Sequence, residues 1–265
     1  MNHHKGYTPV AVSVLAKDGA FRPAVLIPVY DHEDAIGVTL DEVLQYACPV
    51  LLVDDGSGTV CRDVLIALSQ RHVDRVSLLR LAENSGKGAA VKAGFKALLD
   101  AGYSHAIQVD ADGQHDLSDL PVFLALGEQH PDTLIAGCPE YDESVPKIRY
   151  YSRYLTHIWV WINTLSFQVR DTMCGFRVYP LAAVVPLVAR NSCGDRMDFD
   201  TEVLVRWMWS GGQLKNLPTR VRYPLDGVSH FNVWHDNLLI SAMHARLFFG
   251  MLRRLPLILW RRLHG

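Results

Sequence analysis

No apolar run in this chain reaches the ~18 residues that a membrane-crossing helix needs, so no spanning segment is expected. Cysteine is scarce: Cys48, Cys61, Cys138, Cys174 and Cys193 are odd in number and contain no CxxC pair. That excludes a structural zinc site and a disulfide framework, and it suits a reducing, cytoplasmic compartment. Neither sign of charge dominates. With 26 Lys and Arg against 28 Asp and Glu, the net charge of -2 provides no field that would favour nucleic acid. Internal repeats and low-complexity tracts are missing. A cleaved leader is not expected, because the apolar stretch 8–16 is short and follows a weakly charged start. No GxGxxG follows the first strand-like run, which disfavours a dinucleotide oxidoreductase. A P-loop fails too, since Leu81 and Gly88 stand where that pattern needs Gly and Ser or Thr.

What is present is ordinary globular composition, 49% hydrophobic and 20% charged over 265 residues. The pattern predicts a loose arm over 1–22 and a buried strand over 23–29. A helix over about 35–47 follows, opened by Glu33 and Asp34, whose charges complement its dipole. Next come a strand over 50–53, a helix to about Arg71, a strand over 76–81, and a helix carrying Val91, Phe95, Leu98 and Leu99. His105 to Val109 reads as a fourth strand, buried on both faces. Strand-helix alternation argues for an α/β fold with a mostly parallel sheet and right-handed crossovers.

In such a sheet the loops that follow the strands gather at one edge. The site is therefore expected at a rim built from residues 30–34, 54–58, 84–88 and 110–115. Asp110 and Asp112 sit one residue apart at a strand end, so they share a side if strand geometry persists. Two oxygen ligands on one side suit Mg²⁺ or Mn²⁺.

Beyond the rim the pattern predicts a helix over 117–129, a strand over 133–138 and a mobile polar loop over 140–147. An aromatic-rich helix over 148–167 comes next, and its stripe is either core or the wall of an acceptor groove. Residues 171–179 read as a loop feeding a strand, 181–190 as a helix despite Pro186, and 198–210 as a helix stopped by Gly211. Residues 219–223 alternate like an edge strand. The last segment, 236–265, carries Arg246, Arg253, Arg254, Arg261 and Arg262 against a single Asp, with Pro256 suggesting two helical pieces. It is read as a basic amphipathic tail lying in the membrane interface, the other reading being a helix packed on the domain.

Five segments occur together: Ile27-Pro-Val-Tyr30, Val53-Asp-Asp-Gly-Ser57, Asn84-Ser-Gly-Lys-Gly88, Asp110-Ala-Asp-Gly-Gln114 and Gly175-Phe-Arg177. In this order the chain resembles the family 2 glycosyltransferases with the GT-A fold, and within them the polyprenyl-phosphate sugar transferases, the group of dolichol-phosphate-mannose synthase. Each segment alone is weak; five in order across 23–225 are specific. The resemblance implies a GT-A domain over 23–230, with residues 231–265 as the helical tail. It implies a nucleotide-diphospho-sugar donor (UDP- or GDP-linked) and a lipid-linked or other membrane-associated acceptor. The protein would sit peripherally on the inner face of the cytoplasmic membrane through its tail. Pro28, Tyr30 and Glu33 would line the nucleotide pocket, and Asp54 or Asp55, Asp54 being favoured, would bind the base. Asp110 and Asp112 would hold the metal, with Ala111 between them and Gln114 close by. Lys87 and Arg177 would face phosphate.

Two departures stand out. Asp31 occupies the position where the family usually has Asn. Cys138-Pro139 stands where dolichol-type enzymes carry an Arg. A hydroxyl acceptor would need a general base, for which Asp200 is the candidate and Asp171 the second; Asp171 is otherwise an orienter of Arg177. A phosphate acceptor would need none. Asp198 and Asp200 are equally readable as a helix N-cap. His230 would complete a metal shell or pack at the surface, His115 reads as a turn residue, and Cys174 as a small buried hydrophobe. The rival readings are a sugar-1-phosphate nucleotidyltransferase, which would carry a basic Gly-rich loop after strand one, and a non-catalytic nucleotide-sugar-binding module.

Overall fold

A computed structural model describes residues 20–140, 147–191, 193–221 and 233–264. His230, the segment 141–146 of the expected mobile loop and most of the 1–22 arm lie outside the described residues.

The first half alternates as its pattern demands: β1 (Pro23–Val29), α1 (Glu33–Val43), β2 (Val50–Asp54), α2 (Thr59–Arg71), β3 (Val76–Arg80), α3 (Lys87–Asp100) and β4 (His105–Gln108). A 3₁₀ turn over Leu117–Asp119 leads into α4 (Leu120–Gln129), β5 (Thr133–Glu140) and α5 (Lys147–Thr164). Then come β6 (Arg177–Pro180), α6 (Leu181–Arg190), α7 (Phe199–Ser210), β7 (Gln213–Arg220) and α8 (Val233–His264).

The strands form one seven-stranded sheet in the order β3-β2-β1-β4-β6-β5-β7. β6 is antiparallel to both β4 and β5, and the other pairings are parallel. Side chains on a strand alternate between faces, and the two cores follow that rule. Ala24, Leu26, Leu51, Val53 and Ala106 face α3, α6, α7 and α8. Val25, Ile27, Leu52 and Ile107 face α1, α2 and α4. The result is three layers. The order turns at β1, with β2 on one side and β4 on the other, which is where doubly wound sheets open a crevice.

Three expectations need correction. The edge strand runs over Gln213–Arg220, earlier than the predicted 219–223, of which 222 and 223 lie outside the described residues; Pro218 is tolerated because β7 ends the sheet. The aromatic helix stops at Thr164 because Leu165 enters the left-handed region (φ 50°). Pro256 does not split the final helix: α8 runs through it, since Leu255 and Ile258 on either side pack against the core. Earlier in α8, Met243, Leu247 and Met251 are buried in that core. Three of its arginines also have partners on the domain: Arg246 pairs with Glu202 (2.6 Å), Arg254 lies over the Trp209 ring (4.7 Å) and Arg261 donates to the Trp209 carbonyl (2.7 Å). Among the described residues no helix is long and apolar enough to cross a membrane.

Candidate active site at the carboxyl edge of the sheet

The four rim loops meet, and the sequence explains how closely. Gly56 has φ 72°, and a Cβ on it would overlap the backbone of Glu83 and Asn84. Asp31 sits at φ 46°, a region that Asp and Asn tolerate. Its carboxylate accepts the Gly58 amide (2.7 Å) while its own amide donates to Ser57 Oγ (3.1 Å). Asp31 thus performs in this turn the bonding an Asn oxygen would supply.

Asp54 and Asp55 brace these loops. Asp54 is fully buried, accepts the Ser57 amide (2.8 Å) and pairs with Arg80. Asp55 accepts the amides of Ser85 and Gly86 (2.8 Å each), while burial pushes its carboxyl pKa up. The carboxylate of Asp54, the favoured base-binding group, is buried and its partners are internal. Ala111 is likewise turned into the core, and its carbonyl takes the Thr39 hydroxyl (3.3 Å). Pro28 is buried in β1, and Tyr30 and Glu33 are half-buried at its end. Glu33 Oε2 is enclosed and has no hydrogen-bond partner.

The paired acids face one cleft, lined by Asp110, Asp112, Gln114, His115, Arg153 and Cys174 among others. Asp110 Oδ1 lies 2.7 Å from Lys87 Nζ, and Oδ2 lies 3.3 Å from His115 Nε2. Burial would raise the Asp110 pKa, but Lys87 and His115 hold it well below the usual carboxylate range. Asp112 accepts the Gln114 amide (3.1 Å), and burial and the neighbouring Asp110 raise its pKa. Lys87 also reaches Asp200 Oδ2 (2.8 Å). Burial would lower the Lys87 pKa, but the two carboxylates raise it above its ordinary value.

Asp200, in the first turn of α7, gives its other oxygen to Gln108 Nε2 (3.1 Å). Asp198 precedes the helix without the expected side-chain cap bond. Arg177 is fully buried and donates to the carbonyls of Asp200 (2.6 Å) and Thr172 (2.8 Å) and to the Tyr179 hydroxyl (3.1 Å). It therefore supports Asp200 from behind and has no surface to offer a phosphate, contrary to expectation. Asp171 does not touch it. Both Asp171 oxygens are taken by Arg153 (2.7 and 2.9 Å), with His157 Nε2 at 3.3 Å and the amides of Met173 and Cys174 closing the shell. Burial would raise its pKa, but His157 and Arg153 hold it below the ordinary range, so it is a poor proton acceptor. Cys174 is buried and its thiol is pushed up to about 12 by burial, as befits an inert packing residue.

Sequence reading missed Gln108, His115, Arg153 and His157 as site residues. Gln108 was detectable as a polar residue inside a buried strand. Arg153 and His157 were detectable as an i, i+4 pair on the aromatic helix. Among the described residues no group of three or more His, Cys, Asp or Glu is arranged to hold a metal ion. Two carboxylates fit Mg²⁺ or Mn²⁺ of the kind whose remaining ligands are substrate phosphates and water.

The family model for "Glycosyl transferase family 2" matches residues 24–184. A dolichyl-phosphate beta-glucosyltransferase of Mus musculus is 27% identical over 203 residues, covering 68% of this chain and 61% of its own. A polyprenol monophosphomannose synthase of Mycolicibacterium smegmatis is 30% identical over 172 residues, covering 60% and 61%. The chain thus spans about three fifths of the length of these curated relatives. Among solved structures, the Pyrobaculum calidifontis mannosyltransferase PcManGT, in complex with GDP-Man and Mn2+, aligns with a TM-score of 0.56 at 16% identity, covering 88% of this chain and 64% of its own. S. aureus TarS 1-349 in complex with UDP-GlcNAc aligns at 0.54 and 16%, covering 88% and 72%. The shared feature is the GT-A fold.

Proposed function

The chain belongs to glycosyl transferase family 2, and on that footing we propose that it moves a sugar from a UDP- or GDP-linked donor to a polyprenyl phosphate at a membrane surface, using Mg²⁺ or Mn²⁺. The observation that carries the acceptor class is the engagement of both candidate bases. Asp200 is bonded to Lys87 and Gln108, and Asp171 to Arg153. A hydroxyl acceptor must lose a proton to a base, whereas a phosphate is already anionic. The similarity to a dolichyl-phosphate beta-glucosyltransferase and a polyprenol monophosphomannose synthase supports the same class.

In this reading Asp110 and Asp112 hold the cation, with Gln114 beside them. When bound, a divalent cation neutralises charge gathering on the leaving pyrophosphate. Pro28, Tyr30 and Glu33 line the nucleoside pocket, with the unpartnered Glu33 oxygen as the acceptor for a base or ribose donor. Asp54 and Asp55 shape that pocket by holding its loops. The amino end of α3 and Lys87 face the donor's phosphates. Arg153, held by Asp171 in the same cleft as Asp110, places positive charge on the side where the acceptor phosphate would enter. Leu155, Ile158 and Ile162 on α5 and Phe249, Leu252 and Trp260 on α8 are exposed and would rest against lipid.

The test is a thermal-shift panel of UDP, GDP and their sugars, with and without Mn²⁺, followed by transfer of labelled sugar in detergent. Stabilisation that requires metal, and label on polyprenyl phosphate but not on the polyprenol, is the expected result. Label on the free alcohol instead would overturn the acceptor assignment.

A further inference from the structure

We infer that Lys87 makes metal binding conditional on the nucleotide: its ammonium holds the carboxylate oxygen that a divalent cation would use, so the ion enters with a diphosphate and not alone. This rests on the proposed reading that Asp110 and Asp112 are the metal pair.

The position of Lys87 is fixed by its backbone. It is the first residue of α3, and Gly86 before it (φ 101°) and Gly88 after it press against residues 194–195, where a Cβ on either would overlap the chain. From there Nζ bridges Asp110 Oδ1 at 2.7 Å and Asp200 Oδ2 at 2.8 Å. The second Asp110 oxygen faces His115 Nε2 at 3.3 Å, so both oxygens already have a partner. Arg177 lies 3.9 Å from Asp200 Oδ1. Two carboxylates, Asp110 and Asp200, are thus matched by two cations, Lys87 and Arg177, and among the described residues Asp112 has no cation at contact distance.

A divalent ion approaching Asp110 meets an ammonium at hydrogen-bond distance from its own ligand, and like charges at that range repel strongly. Among the described residues the metal pair offers two carboxylates, and a hard cation needs about six oxygens. A nucleotide diphosphate changes both conditions. It brings oxygens to complete the shell and negative charge that offsets the ion, and it gives Lys87 an anion to hold while Asp200 retains its tether.

The experiment is a Mn²⁺ titration read by the electron paramagnetic resonance of the free ion, on the full chain, with and without UDP or GDP. Wild type should bind Mn²⁺ about tenfold or more tighter with nucleotide than without it, and Lys87→Met should bind nucleotide-free Mn²⁺ about tenfold or more tighter than wild type. Lys87→Arg, which keeps the charge, should stay near wild type, and Lys87→Gln repeats the neutral case should the Met variant fail to fold. Nucleotide-free affinity in the neutral variants that is equal to or below wild type overturns the inference. So does an equal gain in Lys87→Arg. If wild type binds Mn²⁺ with nucleotide but the neutral variants gain nothing, only the inference falls. If no form binds Mn²⁺ under any condition, the metal pair itself is wrong and the inference falls with it.

Discussion

Gly175 leaves no room for a side chain beside Asp110: a Cβ placed on it would overlap the Asp110 carboxylate, both oxygens included. The Gly175-Phe-Arg177 segment therefore acts on the site from inside. Its glycine admits the acid, Phe176 stacks on Phe123 in the core (3.9 Å between ring centroids), and Arg177 holds the Asp200 carbonyl.

Gly175→Ala should push Asp110 out of reach of Lys87 and His115. Overpacking of this kind costs roughly 1–3 kcal/mol. Urea unfolding should show that loss, and the metal-dependent thermal shift with nucleotide should vanish. A variant that keeps the full shift would mean Asp110 does not need this place.

Asp112→Asn keeps the shape of the turn and removes one oxygen charge from the cleft. Calorimetry should show Mn²⁺-dependent nucleotide binding lost while the melting temperature of the free protein stays close to wild type. Unchanged affinity would refute the metal role of Asp112.

Asp200→Asn separates the acceptor classes. A general base contributes about 10²–10⁴-fold, so with a phosphate acceptor kcat should fall by less than ~100-fold and the acid limb of its pH profile should persist. A larger fall together with loss of that limb would point to a hydroxyl acceptor.

Asp171 should contribute to acid sensitivity. Despite burial, His157 and Arg153 hold its carboxyl below the ordinary range. A depressed carboxylate stabilises the fold fully above the unfolded value of about 3.9, and that stability is lost as pH falls through the native value. Asp171→Asn should cost about 3–5 kcal/mol at pH 7, since it leaves Arg153 without its partner. It should also lose less further stability than wild type as pH drops below 4. Denaturant titrations from pH 3 to pH 7 measure both, and parallel pH curves would count against the pair.

Phe249 and Trp260 are 63% and 58% exposed on the outer face of α8, while Met243, Leu247 and Met251 are buried. Phe249→Ser with Trp260→Ser should weaken co-sedimentation with anionic lipid vesicles at unchanged melting temperature. Deleting 236–265 should instead destabilise the domain, because it strips the core that those three residues fill. Full co-sedimentation of the double variant would show that this face does not meet lipid.

Much of the frame was legible because its signals are local. Short continuous apolar runs marked β1, β2 and β4, and a spacing of 3.6 marked α2 and α3, so their alternation announced a parallel sheet and a loop-built rim. The insertion of β6 between β4 and β5 left no such trace. It pairs Gln108 with Arg177, far apart in the chain, and that choice belongs to packing. The same holds for α8: Pro256 is a real local breaker, overruled by Leu255 and Ile258 against the core.

The order of residue types along the chain settled which chemical groups would reach the carboxyl edge, since strand length and glycine placement are written locally. It could not settle which charge each of them faces. Asp171 meets Arg153 rather than Arg177, Asp54 meets Arg80 rather than open solvent, and Lys87 bridges two acids that are 90 residues apart in the chain. Electrostatic partners are selected by distance in space and by shared burial, and those exist only once the layers have closed.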